Sequence, residues 1–287
     1  MFHIRKKTLS EQILYTAVFL FFAMLAFSYL YILFWSLITS LRDFNSISSD
    51  KFGFSGFRLS NIKNYADVIP VMAEHGKDFW FMLGNSMYFC FLGSFLCIFV
   101  VSMFSYVSTK YRFFGSKAIY FIVLVVITLP VYGSSSAMYR LLHRIGFLNS
   151  RWMILTSLNG FSIYFMYFHA FYSNLSWSYA EAAEIDGANE WQIYFRVMLP
   201  QAIPMFGSLF LMLWIVDWNN YGTALVYLYE MPTLAVGIYQ FRIDTVYESY
   251  TQILFAACIL SVLPPLILFI LCNKALMSNV SIGGIKG

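Results

Sequence analysis

Six long apolar segments limit what this chain can fold into. They occupy residues 12–38, 81–107, 117–138, 152–172, 201–221 and 252–272. A helix needs roughly 20 apolar residues to cross the hydrocarbon core of a bilayer, and each segment is of that order. Because lipid offers no hydrogen-bond partners, the backbone of a spanning segment must satisfy its own polar groups, which favours helix. We therefore predict an all-α, polytopic membrane protein with about six transmembrane helices.

Composition supports the bilayer as the solvent. Hydrophobic residues make up 60% of the 287 residues and charged residues only 11%, whereas soluble domains carry about 25% charged residues. The net charge of +4 is small and forms no concentrated basic stripe, so we expect no nucleic-acid partner. We see neither repeats nor a low-complexity linker, and we predict a single transmembrane domain over residues 1–287.

The basic residues only partly decide the orientation. The 18 Lys and Arg residues divide evenly between the two sides of the predicted spans. The flank of the first span weighs most, and Arg5, Lys6 and Lys7 precede that span with no acid before Glu11. This pattern favours a cytoplasmic N-terminus.

Two connecting segments are more than simple turns. Residues 41–80 are polar with scattered glycines and aromatics, and we predict a small capping element there. Residues 134–150 carry apolar side chains at near-helical spacing. That segment is either an amphipathic helix at the outer interface or a continuation of the third span.

The polar loop at residues 174–200 differs from its apolar surroundings. It concentrates four acids in a chain that is poor in them: Glu181, Glu184, Asp186 and Glu190. Ser178 and Glu181 have the spacing of a capping box, and alanines that favour helix lie within the segment that follows. Gly187 can supply the left-handed residue that ends a helix. We predict a short helix capped by Ser178 and a tight turn at Gly187.

A second helix is predicted after this turn. Asn189 and Gln192 have the spacing of another capping box, and Pro200 is predicted to stop the helix after Leu199. Its apolar surface toward its own membrane domain is expected from Trp191, Ile193, Phe195 and Val197. Small side chains on the first helix would let another protein approach closely, so the loop is either a docking knob or an interfacial hairpin without a partner.

The spacing in this loop resembles a known family signature. Glu181-Ala182-Ala183, then Gly187 after three residues, then Val197-Met198-Leu199-Pro200 after nine more, is similar to the E-A-A-x3-G-x9-I-x-L-P motif of permease subunits in binding-protein-dependent ABC importers. Only Val197 departs from it, replacing isoleucine. Three other segments resemble the carbohydrate branch similar to the second maltose permease subunit: Leu83-Gly84-Asn85-Ser86, Trp218-Asn219-Asn220-Tyr221 (with Asn220 in place of the usual acid) and the tail Gly283-Gly284-Ile285-Lys286-Gly287.

The resemblance implies a function and a set of partners. The loop would be cytoplasmic, and its first helix would seat in an ATP-binding cassette ATPase dimer that switches the spans between inward-open and outward-open. The residues it assigns to ATPase coupling are Glu181, Ala182, Ala183, Asp186, Gly187, Leu199 and Pro200. A second homologous permease subunit and an extracellular or periplasmic solute-binding protein would complete an importer of a sugar or oligosaccharide. The chain would lie among the lipids of a bacterial cytoplasmic membrane, with both termini in the cytoplasm.

A polar and aromatic cluster near the end of the fifth span is the other candidate site. Asp217 is the only acid well inside an apolar segment, and Trp214, Trp218, Asn219 and Asn220 accompany it. Ionisable residues inside spans usually face an interior cavity. These five residues either line a translocation pathway or serve packing and pairing within the bundle.

Several chemistries lack support in the sequence. There is no G-x-x-x-x-G-K-S/T phosphate-binding motif, so ATP hydrolysis is expected from partner subunits and not from this chain. His3, His75, His143 and His169 share no metal-ligand spacing, and we expect neither a metal nor a cofactor. A secondary transporter remains an alternative with one carboxylate in its favour, as does the same fold with a non-sugar solute.

Overall fold

The computed structural model describes residues 8–74, 78–111, 113–129, 133–244 and 250–280. Within these ranges every regular element is helical, apart from one isolated antiparallel bridge between Arg42 and Phe57. The basic N-terminal cluster and the glycine-containing tail, on which two of the sequence arguments rest, lie outside the described residues, as do His3 and His75.

The chain divides into two compact units. The first comprises residues Met1–His75 and Phe241–Leu260, and the second comprises Gly76–Gln240 and Ser261–Gly287. The helices of the first segment are α1 (Leu9–Ser40), α2 (Phe44–Ser49) and α3 (Lys63–Glu74). The helices that follow it are α4 (Phe79–Lys110), α5 (Ser116–Thr128), α6 (Ser134–Arg144), α7 (Ile163–Asn174), α8 (Ser178–Ile185), α9 (Glu190–Asn219), α10 (Tyr221–Tyr227), α11 (Leu234–Ile243) and α12 (Thr251–Val280). Two of these, α4 and α9, each contain one π-helical segment, at Met87–Leu92 and Ile193–Met198.

Four of the described helices are long and apolar enough to cross a membrane: α1, α4, α9 and the Thr251–Cys272 part of α12. They coincide with four of the six predicted segments and confirm an all-α membrane protein with several spans. The segments at 117–138 and 152–172 contain shorter helices. Helix α5 has 13 residues and α7 has 12, which at 1.5 Å per residue gives about 20 Å of helix.

The segment after α5 forms a separate helix. Backbone at Leu129 is extended, and Gly133 precedes α6 with a φ of 79°. Leu142 on α6 is buried while Leu141 and Ile145 are exposed. Of the two alternatives for this segment, the structure has the amphipathic helix and not an unbroken third span.

The predicted capping element after α1 is organised around a buried arginine. The Arg42 side chain is fully buried. Its Nε donates to the carbonyl of Ser55 at 2.7 Å, and Nη2 donates to the carbonyls of Ser46 and Asp50 at 2.9 and 2.6 Å. Carbonyls from α2, from its C-cap residue and from Ser55 therefore converge on one guanidinium, which holds residues 42–55 together.

The second unit is built on α4, which packs against α7 and α9. Small polar side chains on α4 are buried in this packing, and Ser105 Oγ donates to the Phe165 carbonyl on α7 at 3.2 Å. At the other end of α4, Asn85 Nδ2 donates to the Pro232 carbonyl at 3.1 Å and Ser86 Oγ accepts from the Leu234 amide at 2.8 Å. The Asn-Ser pair of the Leu83–Ser86 motif thus holds the first turn of α11.

Candidate functional site: the helical loop and the Asp217 cavity

Helix α8 begins one residue earlier than the sequence predicted. Its N-cap is Trp177, whose carbonyl accepts from the amides of Ala180 and Glu181 at 2.8 and 3.1 Å. The capping box predicted at Ser178 was therefore wrong. Ser176 supplies the missing acceptor, since its Oγ accepts from the Ser178 amide at 3.2 Å.

The turn after α8 has the geometry predicted for Gly187. The φ of Gly187 is 81°, in the left-handed region that glycine tolerates without a steric penalty. The Ala188 amide donates to the Ala183 carbonyl at 2.9 Å, and the Gly187 amide donates to the Glu184 carbonyl at 3.0 Å. This pair of bonds is a Schellman motif, which satisfies the last carbonyls of α8 and reverses the chain within two residues. Asp186 is the C-cap residue and donates its amide to the Ala182 carbonyl at 3.1 Å.

The second capping box is confirmed. Asn189 Oδ1 accepts from the Gln192 amide, and Gln192 Oε1 accepts from the Asn189 amide, each at 2.9 Å. The predicted stop at Pro200 was wrong, because α9 runs without a break from Glu190 to Asn219. The π-helical segment Ile193–Met198 lies directly before Leu199 and Pro200, and the Gln201 side chain donates to the Val197 carbonyl at 3.0 Å. The wide turn directly before Pro200 accommodates a residue that cannot donate a backbone hydrogen bond.

The loop presents α8 outward. Within α8 only Ala180 is buried, whereas Glu181, Ala182 and Glu184 are exposed. The apolar side chain of Ile185 is 86% exposed at the tip of the loop. A helix with small side chains, acids and one fully presented isoleucine is a surface that another protein could bind.

The buried side chains at the start of α9 only partly match the predicted ones. Ile193 is buried as expected, together with Tyr194 and Met198, but Trp191 and Phe195 are exposed. The four predicted residues lie two apart, a spacing that a helix distributes over opposite sides, so they could not all share the buried face.

Sequence reasoning missed two residues at the base of this loop, Lys110 and Tyr111. Lys110 Nζ donates to the carbonyl of Leu175, and Tyr111 Oη donates to the Glu190 carboxylate. The partners lie 65 and 79 residues apart in sequence, and no local pattern in the sequence indicated either contact.

Asp217 lies beside a small cavity in the second unit. Ser94 Oγ donates to Asp217 Oδ2 at 2.8 Å, and Cys90 Sγ lies 3.4 Å from the Asp217 carbonyl. The cavity measures about 120 Å³. Its lining includes Asp217 and Asn220 together with the hydroxyl groups of Thr156, Ser157, Thr223 and Thr233. Asp217 thus lines a cavity and is also paired within the bundle, and its place on a translocation pathway stays a prediction.

The remaining predicted pathway residues divide between packing and surface. Trp214 and Trp218 are buried, with their rings 5.3 Å apart, and Trp218 Nε1 donates to the Ser261 carbonyl at 3.1 Å. Asn219 is exposed and donates to the Ile215 carbonyl, while Asn220 caps α10 through the Thr223 amide. The structure therefore brings Asp217 and Asn220 together at the cavity and places the two tryptophans in the packed interior.

These features agree with a comparison against known families. The model for the binding-protein-dependent transport system inner membrane component matches residues 98–281 of this chain. The chain belongs to this family. The matched part of this permease subunit contains the exposed loop and the whole of α9, including Asp217, which lines the cavity.

Curated relatives resemble this family member over most of its length. The arabinooligosaccharides transport system permease protein AraQ of Bacillus subtilis is 26% identical over 282 residues, which covers 94% of this chain and 95% of the relative. The diacetylchitobiose uptake system permease protein NgcG of Streptomyces coelicolor is 28% identical over 253 residues, covering 87% of this chain and 82% of the relative.

One solved structure has the same fold. A chain in the crystal structure of a bacterial ABC transporter involved in the import of the acidic polysaccharide alginate superposes with a TM-score of 0.76. The two chains are 21% identical, and the match covers 94% of this chain and 99% of the other. The fold is thus that of an ABC importer permease. Among the described residues, no three His, Cys, Asp or Glu side chains are grouped closely enough to hold a metal ion.

Proposed function

We propose that this permease subunit converts the movement of an ATP-binding cassette ATPase dimer into a change of access in a sugar import pathway. It would form half of that pathway, with a second homologous permease subunit as the other half. An extracellular or periplasmic solute-binding protein would deliver the sugar. In this proposal the loop between α7 and α9 lies in the cytoplasm of a bacterium, and both termini lie on the same side.

The observation that carries the proposal is the exposed, self-contained geometry of α8. A helix that transmits a push must be rigid. The Schellman motif at Gly187 and the capping box at Asn189 fix the turn between α8 and α9 with hydrogen bonds on both sides. The same helix leaves Ala182 and Ile185 exposed. An apolar anchor surrounded by small residues and an acidic rim suits a groove on a partner protein.

The Asp217 cavity supports a place on the pathway. Hydroxyl, amide and carboxylate groups line it together with aromatic and aliphatic side chains, and such a mixture can bind hydroxyl-rich solutes. A volume of about 120 Å³ is well below the roughly 300–1,000 Å³ of a complete small-molecule pocket. This chain alone therefore offers a wall of a sugar site, and the second permease subunit would supply the opposite wall.

The relatives support sugar as the cargo. AraQ is named for the transport of arabinooligosaccharides, and NgcG for the uptake of diacetylchitobiose. The maltose/maltodextrin transport system permease protein MalG of Vibrio vulnificus is 27% identical over 215 residues. A neutral or weakly charged oligosaccharide is accordingly our proposed substrate class.

Site-specific crosslinking combined with transport tests the proposal. Ile185 would be replaced by benzoylphenylalanine in a complex assembled with the ATPase, second permease and binding protein encoded by neighbouring genes. Illumination is expected to join position 185 to the ATPase, and the unmodified complex in proteoliposomes is expected to take up an oligosaccharide only with ATP inside. The same probe at Tyr139, an exposed residue of α6 on the outer surface in the proposed orientation, is the control and should not reach the ATPase. Crosslinking from Tyr139 but not from Ile185 would overturn the orientation, and uptake independent of ATP would overturn the function.

A further inference from the structure

Two consecutive residues at the end of α4 hold the two ends of the exposed loop. The first is Lys110, the last residue of α4. Its Nζ donates to the carbonyl of Leu175, which is the C-cap residue of α7, and lies 5.9 Å from the centre of the Trp177 ring. A lysine at this position satisfies a terminal carbonyl and complements the negative end of the α7 dipole. It therefore binds the point where the chain leaves α7.

The second residue is Tyr111, which binds the point where the chain enters α9. Its hydroxyl donates to the carboxylate of Glu190, the first residue of α9, and its ring meets the Trp177 ring edge-on at 5.9 Å. Burial raises the pKa of the Tyr111 phenol above its ordinary value, and the hydrogen bond to Glu190 raises this pKa further. The phenol therefore stays protonated, and remains a donor, at any physiological pH.

We propose that Lys110 and Tyr111 form a base clamp that makes α4 move with the loop when an ATPase pushes on α8. This inference rests on the proposed function. Of the residues in α8 itself, only Ala180 is buried, and α8 packs against the π-helical start of α9, so a push on α8 reaches α4 through the ends of the loop. The polar contacts at residues 175 and 190 are the direct connections from the two ends of the loop to the end of α4.

The contact continues from the clamp into the bundle. The Tyr106 and Tyr111 hydroxyls lie 3.4 Å apart, and the Tyr106 ring packs on the Tyr194 ring at 5.0 Å. The Tyr194 hydroxyl donates to Ser102 Oγ at 3.3 Å, and Ser102 is also hydrogen-bonded to the Tyr172 hydroxyl at 3.0 Å. The buried Ser102 hydroxyl thus joins α4 to both α7 and α9.

Helix α4 also reaches the Asp217 cavity. Ser94, which donates to Asp217 at 2.8 Å, lies on the same helix as the clamp, about 24 Å away at 1.5 Å per residue. A helix between packed neighbours transmits a displacement as a rigid element. A movement of the loop would thus arrive at the cavity through α4 without any change in α8 itself.

The clamp predicts uncoupling and not simple loss of activity. Without the Tyr111 hydroxyl, α8 would still fold, because its own hydrogen bonds close its turn, and it would still bind an ATPase. The push would then displace the loop relative to α4. ATP hydrolysis is expected to persist while the amount of solute moved per ATP falls.

The test compares Tyr111→Phe with Tyr88→Phe in the full complex in proteoliposomes. Tyr88 lies on α4 near the opposite end of the helix from Tyr111, and its variant loses a hydroxyl contact to the Arg151 carbonyl at 3.4 Å. We expect Tyr111→Phe to raise ATP hydrolysed per solute by about tenfold, a factor that a charge-assisted hydrogen bond can support in an equilibrium. Tyr88→Phe should leave this ratio unchanged, and Lys110→Met should act in the same direction as Tyr111→Phe.

A double-mutant cycle separates the clamp from general damage. Because Tyr111 and Glu190 act through one bond, Glu190→Gln combined with Tyr111→Phe should be no worse than Tyr111→Phe alone. Additive losses, or an unchanged ratio in Tyr111→Phe, would overturn the clamp. A fall in complex assembly that accounts for the whole loss would assign Tyr111 a structural role and would also overturn it. If the wild-type complex shows no ATP-dependent uptake, the proposed function itself fails, which is a different result from any outcome of the variants.

Discussion

The backbone conformation of Gly187 gives the sharpest prediction. With a φ of 81°, this residue sits in the left-handed region, and a Cβ added there would meet no atom of the described chain within 4 Å. The cost of a side chain is therefore conformational and not steric. For an ordinary L-residue the left-handed conformation costs about 1–2 kcal/mol, and a β-branched residue lies at the upper end or beyond.

Two substitutions separate conformation from size. Gly187→Val should disfavour the turn by about 2 kcal/mol, which is roughly a thirtyfold change in its population. The bonds from the amides of Gly187 and Ala188 would be lost with it. Gly187→Asn adds a side chain of similar size but tolerates the left-handed region, so it should retain most of the native turn.

The assay is uptake and ATP hydrolysis in proteoliposomes that contain the assembled importer. Gly187→Val is expected to lose most coupled uptake while the chain still inserts and ATP hydrolysis continues, and Gly187→Asn is expected to remain close to wild type. Equal impairment of the two variants would refute the conformational reasoning and would indicate that a partner approaches the glycine closely. Normal uptake by Gly187→Val would refute a role for the turn in coupling.

Three further predictions concern the cap of α9, the buried arginine and the cavity. Asn189→Ala should destabilise the first turn of α9 by about 1 kcal/mol through loss of its cap, seen as faster amide exchange at residues 190–193, while Asn189→Ser should restore protection. Arg42→Met should lower the unfolding free energy by about 2–4 kcal/mol, because the carbonyls of Asp50 and Ser55 lose the guanidinium as their donor. Thermal unfolding in detergent measures this, and an unchanged midpoint would contradict it. Asp217→Asn, which keeps the shape and the bond to Ser94, should reduce solute uptake at unchanged membrane abundance if the cavity lines the pathway, and full activity would exclude that role.

The loop shows how far local sequence patterns reach. The Gly187 turn and the Asn189–Gln192 box depend on hydrogen bonds between residues no more than five apart, and the sequence predicted both. The cap of α8 was assigned to Ser178 because a Ser-x-x-Glu pattern is a local rule. In the structure Trp177 takes that place, where its ring also contacts Tyr111 and Lys110, a contact that the local rule does not include.

Pro200 shows the limit of a breaker rule. A proline removes one backbone donor and crowds the preceding turn, which predicts an end to an isolated helix. Within α9 the π-helical segment before it accommodates the ring, and the apolar residues that follow continue to Asn219. The free energy of burying a long helix in the bundle and the membrane exceeds the local cost of the proline.

Apolar run lengths and local turn chemistry are properties of neighbouring residues. They were enough for the sequence to determine an all-α membrane fold with a helical loop between α7 and α9. Tertiary structure decided which residues connect that loop to the bundle. No sequence pattern predicted the clamp residues Lys110 and Tyr111, the serine that binds Asp217, or the carbonyls that converge on Arg42. Packing brings these groups together, and their separation along the chain carries no periodic signal. Helix formation is set by residues within one or two turns, whereas the partner of a buried polar group is set by whichever helix packs against it.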